Sequence, residues 1–167
     1  YARLSRFVEL LLEENECVNL TAVRDEAEVW RGHICDSLML LPVIRAHAVT
    51  RLLDLGTGGG LPGLPLACVS ARVDVTLVDA TRKKVAAVRR IISTLALENA
   101  RAVWGRSELL AHIASFREHS SLVASKARST RPPSMGKAGI MLKTTKKTLA
   151  TNNRSAKSSR PHPLPLS

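Results

Sequence analysis

The sequence predicts an α/β fold, a doubly wound, mostly parallel sheet with helices ahead of it and an incomplete or divergent C-terminal end. Three observations carry that expectation. From Arg51 to about residue 125, short apolar runs alternate with amphipathic segments, the pattern of strands joined by crossover helices. A glycine-rich stretch, Gly56 to Gly60, lies directly between the first apolar run and the segment that follows it. An acid, Asp79, closes the second run.

Leu4, Phe7, Val8, Leu11 and Leu12 recur at helical spacing, so residues 2–16 read as an amphipathic helix with Arg3, Arg6, Glu9 and Glu13 outside. Asn19-Leu20-Thr21 breaks the pattern and suits the cap of a following turn, because both polar side chains accept from free backbone N–H groups. A second helix is predicted from about Asp25 to Leu41, with Trp30, Ile34, Leu38 and Leu41 as its apolar stripe and Pro42 near its end. Leu52–Leu55 then reads as a buried strand, Leu61–Val69 as a helix and Val73–Val78 as a second strand. Residues 82–97 place Val85, Val88, Ile92 and Leu95 on one helical face. Ala102–Trp104 is a third strand, Glu108–Ala114 a helix and Leu122–Ala124 a fourth strand, with both tryptophans expected in the core.

This reading divides the chain into an N-terminal helical appendage at 1–42, a truncated cofactor-binding domain at 43–125 and a basic tail of low order at 126–167. The tail is rich in Ser, Thr, Lys, Arg and Pro, and only Gly139–Lys143 suggests a strand. A solvated tail, or a segment that has left its reading frame, is favoured over an RNA-binding arm.

No apolar run approaches the roughly 18 to 20 residues of a membrane-spanning helix, and the N-terminus lacks a secretory pattern. The expectation is a cytoplasmic monomer that engages neither membrane nor metal, or a plastid or mitochondrial protein if a transit peptide preceded Tyr1. Cys17, Cys35 and Cys68 form no CxxC pair and are expected to be reduced and buried. A net charge of +11 invites a nucleic-acid reading, but its distribution removes that argument. Residues 1–118 carry 15 Lys and Arg against 14 Asp and Glu, whereas residues 119–167 carry 10 basic residues and no acid.

The segment LLDLGTGGGLPGLPLA sets Gly56, Gly58, Gly59 and Gly60 after a strand and before a helix, with Pro62 and Pro65 suited to a first helical turn. Glycine lets the backbone turn sharply and approach a ligand closely. Gly58-x-Gly60-x-x-Gly63 formally matches a dinucleotide fingerprint, although it starts later after the strand than Gly56-x-Gly58-x-Gly60 does. Asp79, 23 residues after Gly56, suits the two ribose hydroxyls of an adenosine in either cofactor. The bland alternative is a tight turn flanked by solvated acids. Arg106-Ser107-Glu108 suits an adenine pocket and an ordinary helix cap equally.

Asp54 at the strand end followed by Gly-x-Gly-x-Gly resembles motif I of the class I methyltransferases, whose fold is Rossmann-like. Together with ELLLEENECVNLTAVRD at 9–25, GHICDSLMLLP at 32–42, LVDATRKKVAAVRR at 77–90 and GRSE at 105–108, it resembles the family of small-subunit ribosomal RNA guanine-N(7) methyltransferases, over about residues 5–115. The resemblance implies S-adenosylmethionine as cofactor, held by Asp54, Gly56, Thr57, Gly58, Gly60, Leu61, Asp79, Ser107 and Glu108, with Lys126-Ala127, or else Arg128, standing where the family has an Arg-Ala pair. It implies ribosomal RNA or the small ribosomal subunit as partner, with Asn19, Arg24, His33 and Asp36 on the RNA side. His33 and Asp36 are expected to share a helix face, where a helix-to-domain hydrogen-bond network is favoured slightly over direct substrate contact. Arg82, Lys83, Lys84, Arg89 and Arg90 form a local set of candidate phosphate contacts, a charge run more readily read as a solvated face, and Arg106 is a further candidate on the RNA side. No catalytic base is assigned, since guanine nitrogen 7 loses no proton on methylation.

The family often has proline where Gly59 stands and a basic residue where Gly32 stands. Its last strands and crossover helix are not recognisable here, and the resemblance implies a missing initial helical segment. Two rival functions remain open: an NAD-type oxidoreductase, and an inactive chain that keeps only the cofactor fold.

Overall fold

The computed structural model describes residues 1–105 and, as backbone strands, residues 121–126 and 140–145. Helix α1 spans Ala2–Val18, and among its buried residues Leu4, Phe7 or Val8, Leu11 and Asn15 recur at three- and four-residue spacing, with Leu10 beside them, so a single stripe faces inward. It ends at Asn19, which adopts a left-handed φ of 42°. Asparagine takes up this C-terminal conformation more readily than branched residues do.

Residues 25–41 depart from the single helix that their spacing predicts. The Asp25 carboxylate accepts from the Glu28 N–H and caps α2 (Glu26–Glu28), a π-helical segment follows over Val29–Ile34, and then come α3 (Cys35–Leu38) and α4 (Leu41–Ala46). Pro42 opens α4 instead of closing the helix before it, because a first turn has no use for the missing N–H. The wider π turn buries Val29 and Ile34 and leaves Trp30 half-buried, its ring stacked on Tyr1 at 5.7 Å.

Five strands follow: β1 (Arg51–Leu55), β2 (Asp74–Asp79), β3 (Ala100–Trp104), β4 (Ser121–Lys126) and β5 (Ile140–Thr145). Their order is β3-β2-β1-β4-β5, parallel except for the β4–β5 pair. β1 is central and β2 flanks it, and both are buried over consecutive residues, as interior parallel strands covered on both faces are. β4 extends the expected Leu122–Ala124 strand, and β5 takes up the Gly139–Lys143 suggestion. The expected Glu108–Ala114 helix and the remainder of the tail lie outside the described residues.

Helix α5 (Gly63–Val69) connects β1 to β2, α6 (Arg82–Thr94) connects β2 to β3, and α1 lies across both. Phe7 and Leu11 of α1, Leu64 of α5, Ile91 of α6, and Leu52 and Leu77 of the strands are all buried in one continuous cluster. Residues 1–42 therefore share a core with the α/β layer. Each such side chain contributes about 1.5–3 kcal/mol on burial. Arg90 of α6 reaches Glu14 of α1 with two hydrogen bonds of 2.6 Å, and the Asn99 amide donates to the carbonyls of Ala67, Ser70 and Val73, tying the end of α5 to the start of β2.

The expected burial of the cysteines fails for two of the three. Cys17 and Cys35 are exposed and Cys68 is half-buried. Cys17 sits off the Leu4–Leu11 stripe, so helical position overrides the small apolar character of the side chain. Among the described residues, no helix is long and apolar enough to cross a membrane, and no group of three or more His, Cys, Asp or Glu is arranged to hold a metal ion.

Candidate functional site

The C-terminal ends of β1 and β2 carry the glycine loop and Asp79 side by side, the place where parallel sheets leave an open crevice. Two hydrogen bonds pin the start of the loop to β2, from the Gly56 and Thr57 N–H groups to the Val78 carbonyl at 2.8 and 3.0 Å. Gly56, Gly58 and Gly60 all have positive φ, at 72°, 57° and 88°. At Gly58 this matters doubly, because an added Cβ would also lie 3.3 Å from the Leu20 carbonyl. Gly63 serves another purpose, letting α5 approach the sheet: a Cβ there would lie 2.9 Å from Leu77 and 3.0 Å from both Val75 and the Asp54 carboxylate.

Asp54 is 1% exposed and acts from beneath the loop. Its Oδ2 accepts from the Thr57 hydroxyl at 2.7 Å and from the Gly63 N–H at 3.0 Å, linking the strand end, the loop and the first turn of α5. Thr57, Gly60 and Leu61 are buried in the same arrangement. The open rim is formed by Gly56, which is exposed with nothing within 4 Å of its Cβ direction, and by Asp79. The Asp79 carboxylate accepts from the Gly58 N–H at 3.0 Å through Oδ2 and from the Thr81 N–H at 2.8 Å through Oδ1. A carboxylate offers about four acceptor positions, so capacity remains for ligand hydroxyls.

A second feature adjoins the loop. The Leu20 carbonyl faces Gly58 and the Leu20 side chain faces Gly59, so the Asn19–Arg24 segment packs directly on the glycine turn. Between this segment and α6 lies a cleft of about 500 Å³ lined by Asn19, Thr21, Val23, Arg24, His33 and Lys84, among others. The Thr21 hydroxyl bonds His33 Nε2 at 2.8 Å and accepts from the Val23 N–H at 3.2 Å, while Arg24 donates to the Asn19 side chain at 3.3 Å. Thr21 thus makes the turn that the Asn-Leu-Thr sequence suggests, and Asn19 ends α1. Three of the four expected RNA-side residues in the N-terminal segment, Asn19, Arg24 and His33, come together here. Asp36 does not join them. The π-helical segment ends between His33 and Asp36, and Asp36 is exposed while His33 turns inward to Thr21.

The basic run of α6 separates by partner. Arg89 donates to the Ala102 carbonyl at 2.9 Å, Arg90 is paired with Glu14, and the Arg82 guanidinium lies 4.1 Å from the ring centre of Trp104. Trp104 is not in the core as expected. It is 49% exposed at the end of an edge strand, beside Asp79, with its indole N–H on the Ala80 carbonyl at 2.9 Å. Lys83 is exposed, while Lys84 reaches the cleft. Lys126 is the last residue of β4, one step past the level of Leu55 and so at the same end of the sheet as the glycine loop. Arg106, Ser107 and Glu108 lie outside the described residues.

One contributor escapes the sequence reading, and a second is named there only as part of a basic run. Asn15, 1% exposed, accepts from the Thr21 N–H at 2.9 Å and donates to the Val23 carbonyl at 3.4 Å, so it holds the Asn19–Arg24 segment in place. A polar residue continuing the Leu4–Leu11 stripe is the signal that marks it. Lys84 had no signal to separate it from its basic neighbours.

The family model described as rRNA small subunit methyltransferase G matches residues 1–155, further along the chain than the quoted sequence pieces reach. A "Ribosomal RNA small subunit methyltransferase G" from Moorella thermoacetica is 35% identical over 75% of this chain and 52% of its own length. One of the same name from Sorangium cellulosum is 44% identical over 65% of this chain and 46% of its own length. The chain therefore spans about half the length of these curated relatives. A solved Klebsiella pneumoniae structure described as an O-methyltransferase covers 79% of this chain and 72% of its own at 14% identity, with a TM-score of 0.51, a likeness of fold.

Proposed function

The chain belongs to the rRNA small subunit methyltransferase G family, and from that premise we propose that it methylates small-subunit ribosomal RNA at nitrogen 7 of a guanine, using S-adenosylmethionine. The observation that carries the reading is the juxtaposition of two rims: the open backbone at Gly56 with the Asp79 carboxylate, and the basic cleft of Arg24, His33 and Lys84 beside it.

The residues fit a nucleoside cofactor. Gly56 leaves open space above the loop, and Asp79 keeps acceptor capacity for a ribose. When bound, the cofactor supplies an electrophilic methyl on a positively charged sulfur. Asp54 keeps the loop rigid through Thr57 and Gly63, so the backbone that would face the ligand is set before the ligand arrives. Asp79 is itself held by two backbone N–H groups, which fixes its direction. No side chain is asked to take a proton, because guanine nitrogen 7 attacks through a free lone pair. The chain's contribution is placement of methyl and nucleophile at near-attack distance.

The test is incubation with labelled S-adenosylmethionine and small ribosomal subunits or their RNA, followed by mapping of the modified nucleotide. Parallel calorimetric titrations with S-adenosylmethionine and with NAD should give binding only for the first. NAD binding without S-adenosylmethionine binding would refute the cofactor assignment. Cofactor binding with no transfer to any ribosomal RNA would leave a binding module and sink the enzyme reading.

A further inference from the structure

The cleft beside the glycine loop has an unusual charge balance for a chain whose first 118 residues are nearly neutral. Arg24 and Lys84 line it from different elements, one from the segment after α1 and the other from the first turn of α6, and His33 is also in the lining. No carboxylate of the described residues lines it. Two cations elsewhere are compensated within the fold, Arg6 by Glu9 and Glu13 and Arg90 by Glu14. Among the described residues neither Arg24 nor Lys84 forms an ion pair. Like charges brought together without counter-charge repel one another, and a bound anion relieves that repulsion.

The cleft is also built to hold Arg24 in place. Arg24 donates to the Asn19 side chain, and the segment that carries it is fastened by Asn15 and by the Thr21–His33 contact. A guanidinium aligned in advance loses less freedom on gripping an anion, and its planar fork matches a phosphate. Lysine supplies a point charge from a second element.

We infer that Arg24 and Lys84 form a clamp for one phosphodiester of the RNA strand, seated in the cleft and set against the cofactor loop through Leu20. This rests on the RNA methyltransferase reading and extends it by naming the group that fixes the strand's register. Of the α6 cations the clamp uses Lys84, since Arg89 and Arg90 are already engaged within the fold.

The test uses the whole chain and a fluorescein-labelled single-stranded RNA with the sequence around the methylated guanine, or around several ribosomal guanines if none is mapped. Binding is measured across a salt series for the wild type, Arg24→Gln, Lys84→Gln and Arg72→Gln. Arg72 is an exposed residue in the turn between α5 and β2, at the far end of the sheet from the glycine loop. Each single-stranded phosphate contact contributes a slope of roughly 0.7 in log Kd against log salt, so Arg24→Gln and Lys84→Gln should each lower the slope by about that amount, and Arg72→Gln should not. S-adenosylmethionine affinity, read by calorimetry, should stay within about twofold in all three variants. Wild-type slopes in both cleft variants would overturn the clamp while leaving the methyltransferase reading intact. Loss of cofactor affinity in them would overturn it too, assigning the cleft to the cofactor. A wild type that binds cofactor but no RNA at low salt would overturn both together.

Discussion

Gly63→Ala tests whether close helix–sheet contact is what positions the glycine loop. The added methyl would lie 2.9 Å from Leu77 Cδ2 and 3.0 Å from Val75 Cγ1 and from Asp54 Oδ2. Carbon atoms rest comfortably at about 3.5–4.0 Å, so relief requires a displacement of roughly 0.5 to 1 Å. Leu77 and Val75 are 0% and 1% exposed, in an interior that is in general close-packed, and Asp54 is held by Thr57. The first turn of α5 must therefore lift. Overpacking of this kind costs about 1–3 kcal/mol, and alanine's better helix propensity returns at most about 1 kcal/mol. A net loss of about 1–2 kcal/mol corresponds to a fall in Tm of about 3 to 8 °C. Thermal unfolding followed by circular dichroism measures it, with Gly32→Ala as the control, since nothing lies within 4 Å of a Cβ there. Lifting α5 also pulls the Gly63 N–H from Asp54, so cofactor affinity should fall in parallel. A Gly63→Ala protein that melts with the wild type would refute the argument that this contact sets the loop.

Three further outcomes follow from the same geometry. Gly58→Val should abolish S-adenosylmethionine binding in a calorimetric titration: a branched residue at φ 57° is strained by about 1–3 kcal/mol, its Cβ presses on the Leu20 carbonyl, and the N–H that aims Asp79 must shift; unchanged affinity would mean the site lies elsewhere. The hydrogen bonds from Arg90 hold the Glu14 carboxyl below its usual range, so their stabilisation is present above a pH of 4.5 and disappears as pH falls through the lowered folded value. Because Arg90 is more than half exposed, the pair contributes about 1 kcal/mol or less, and Arg90→Met should flatten that acid limb in urea melts recorded from pH 6 down to pH 3. Burial pushes the Cys68 thiol up to about 11, so iodoacetamide at about pH 8 should label exposed Cys17 and Cys35 and spare Cys68, as read by peptide mass mapping.

The strand–loop–helix around Gly56 was legible because its signals are local. Leu52 to Leu55 form a strand wherever they are placed in a parallel sheet, and three left-handed backbone positions in five residues call for glycine. The same locality explains the misreadings. Residues 25–41 carry helical periodicity, but a π turn and a break before Leu41 emerge only when Val29, Ile34 and Ile44 are fitted into the core together. Trp104 is large and apolar, yet it ends an edge strand, half-exposed, with Arg82 over its ring.

By itself the sequence determined the order of strands and helices from Arg51 to Trp104, the position of the glycine loop and the placing of Asp79 at the end of the neighbouring strand, since these depend on residue type and short spacing. Tertiary structure decided what each charged or polar group does. It set Asp54 beneath the loop, engaged Arg89 and Arg90 within the fold, brought Lys84 to the cleft, and made Asn15 the fastening of the Asn19–Arg24 segment. Hydrogen bonds and ion pairs act over a few ångströms between residues as far apart in the chain as Glu14 and Arg90, a distance that periodicity does not span.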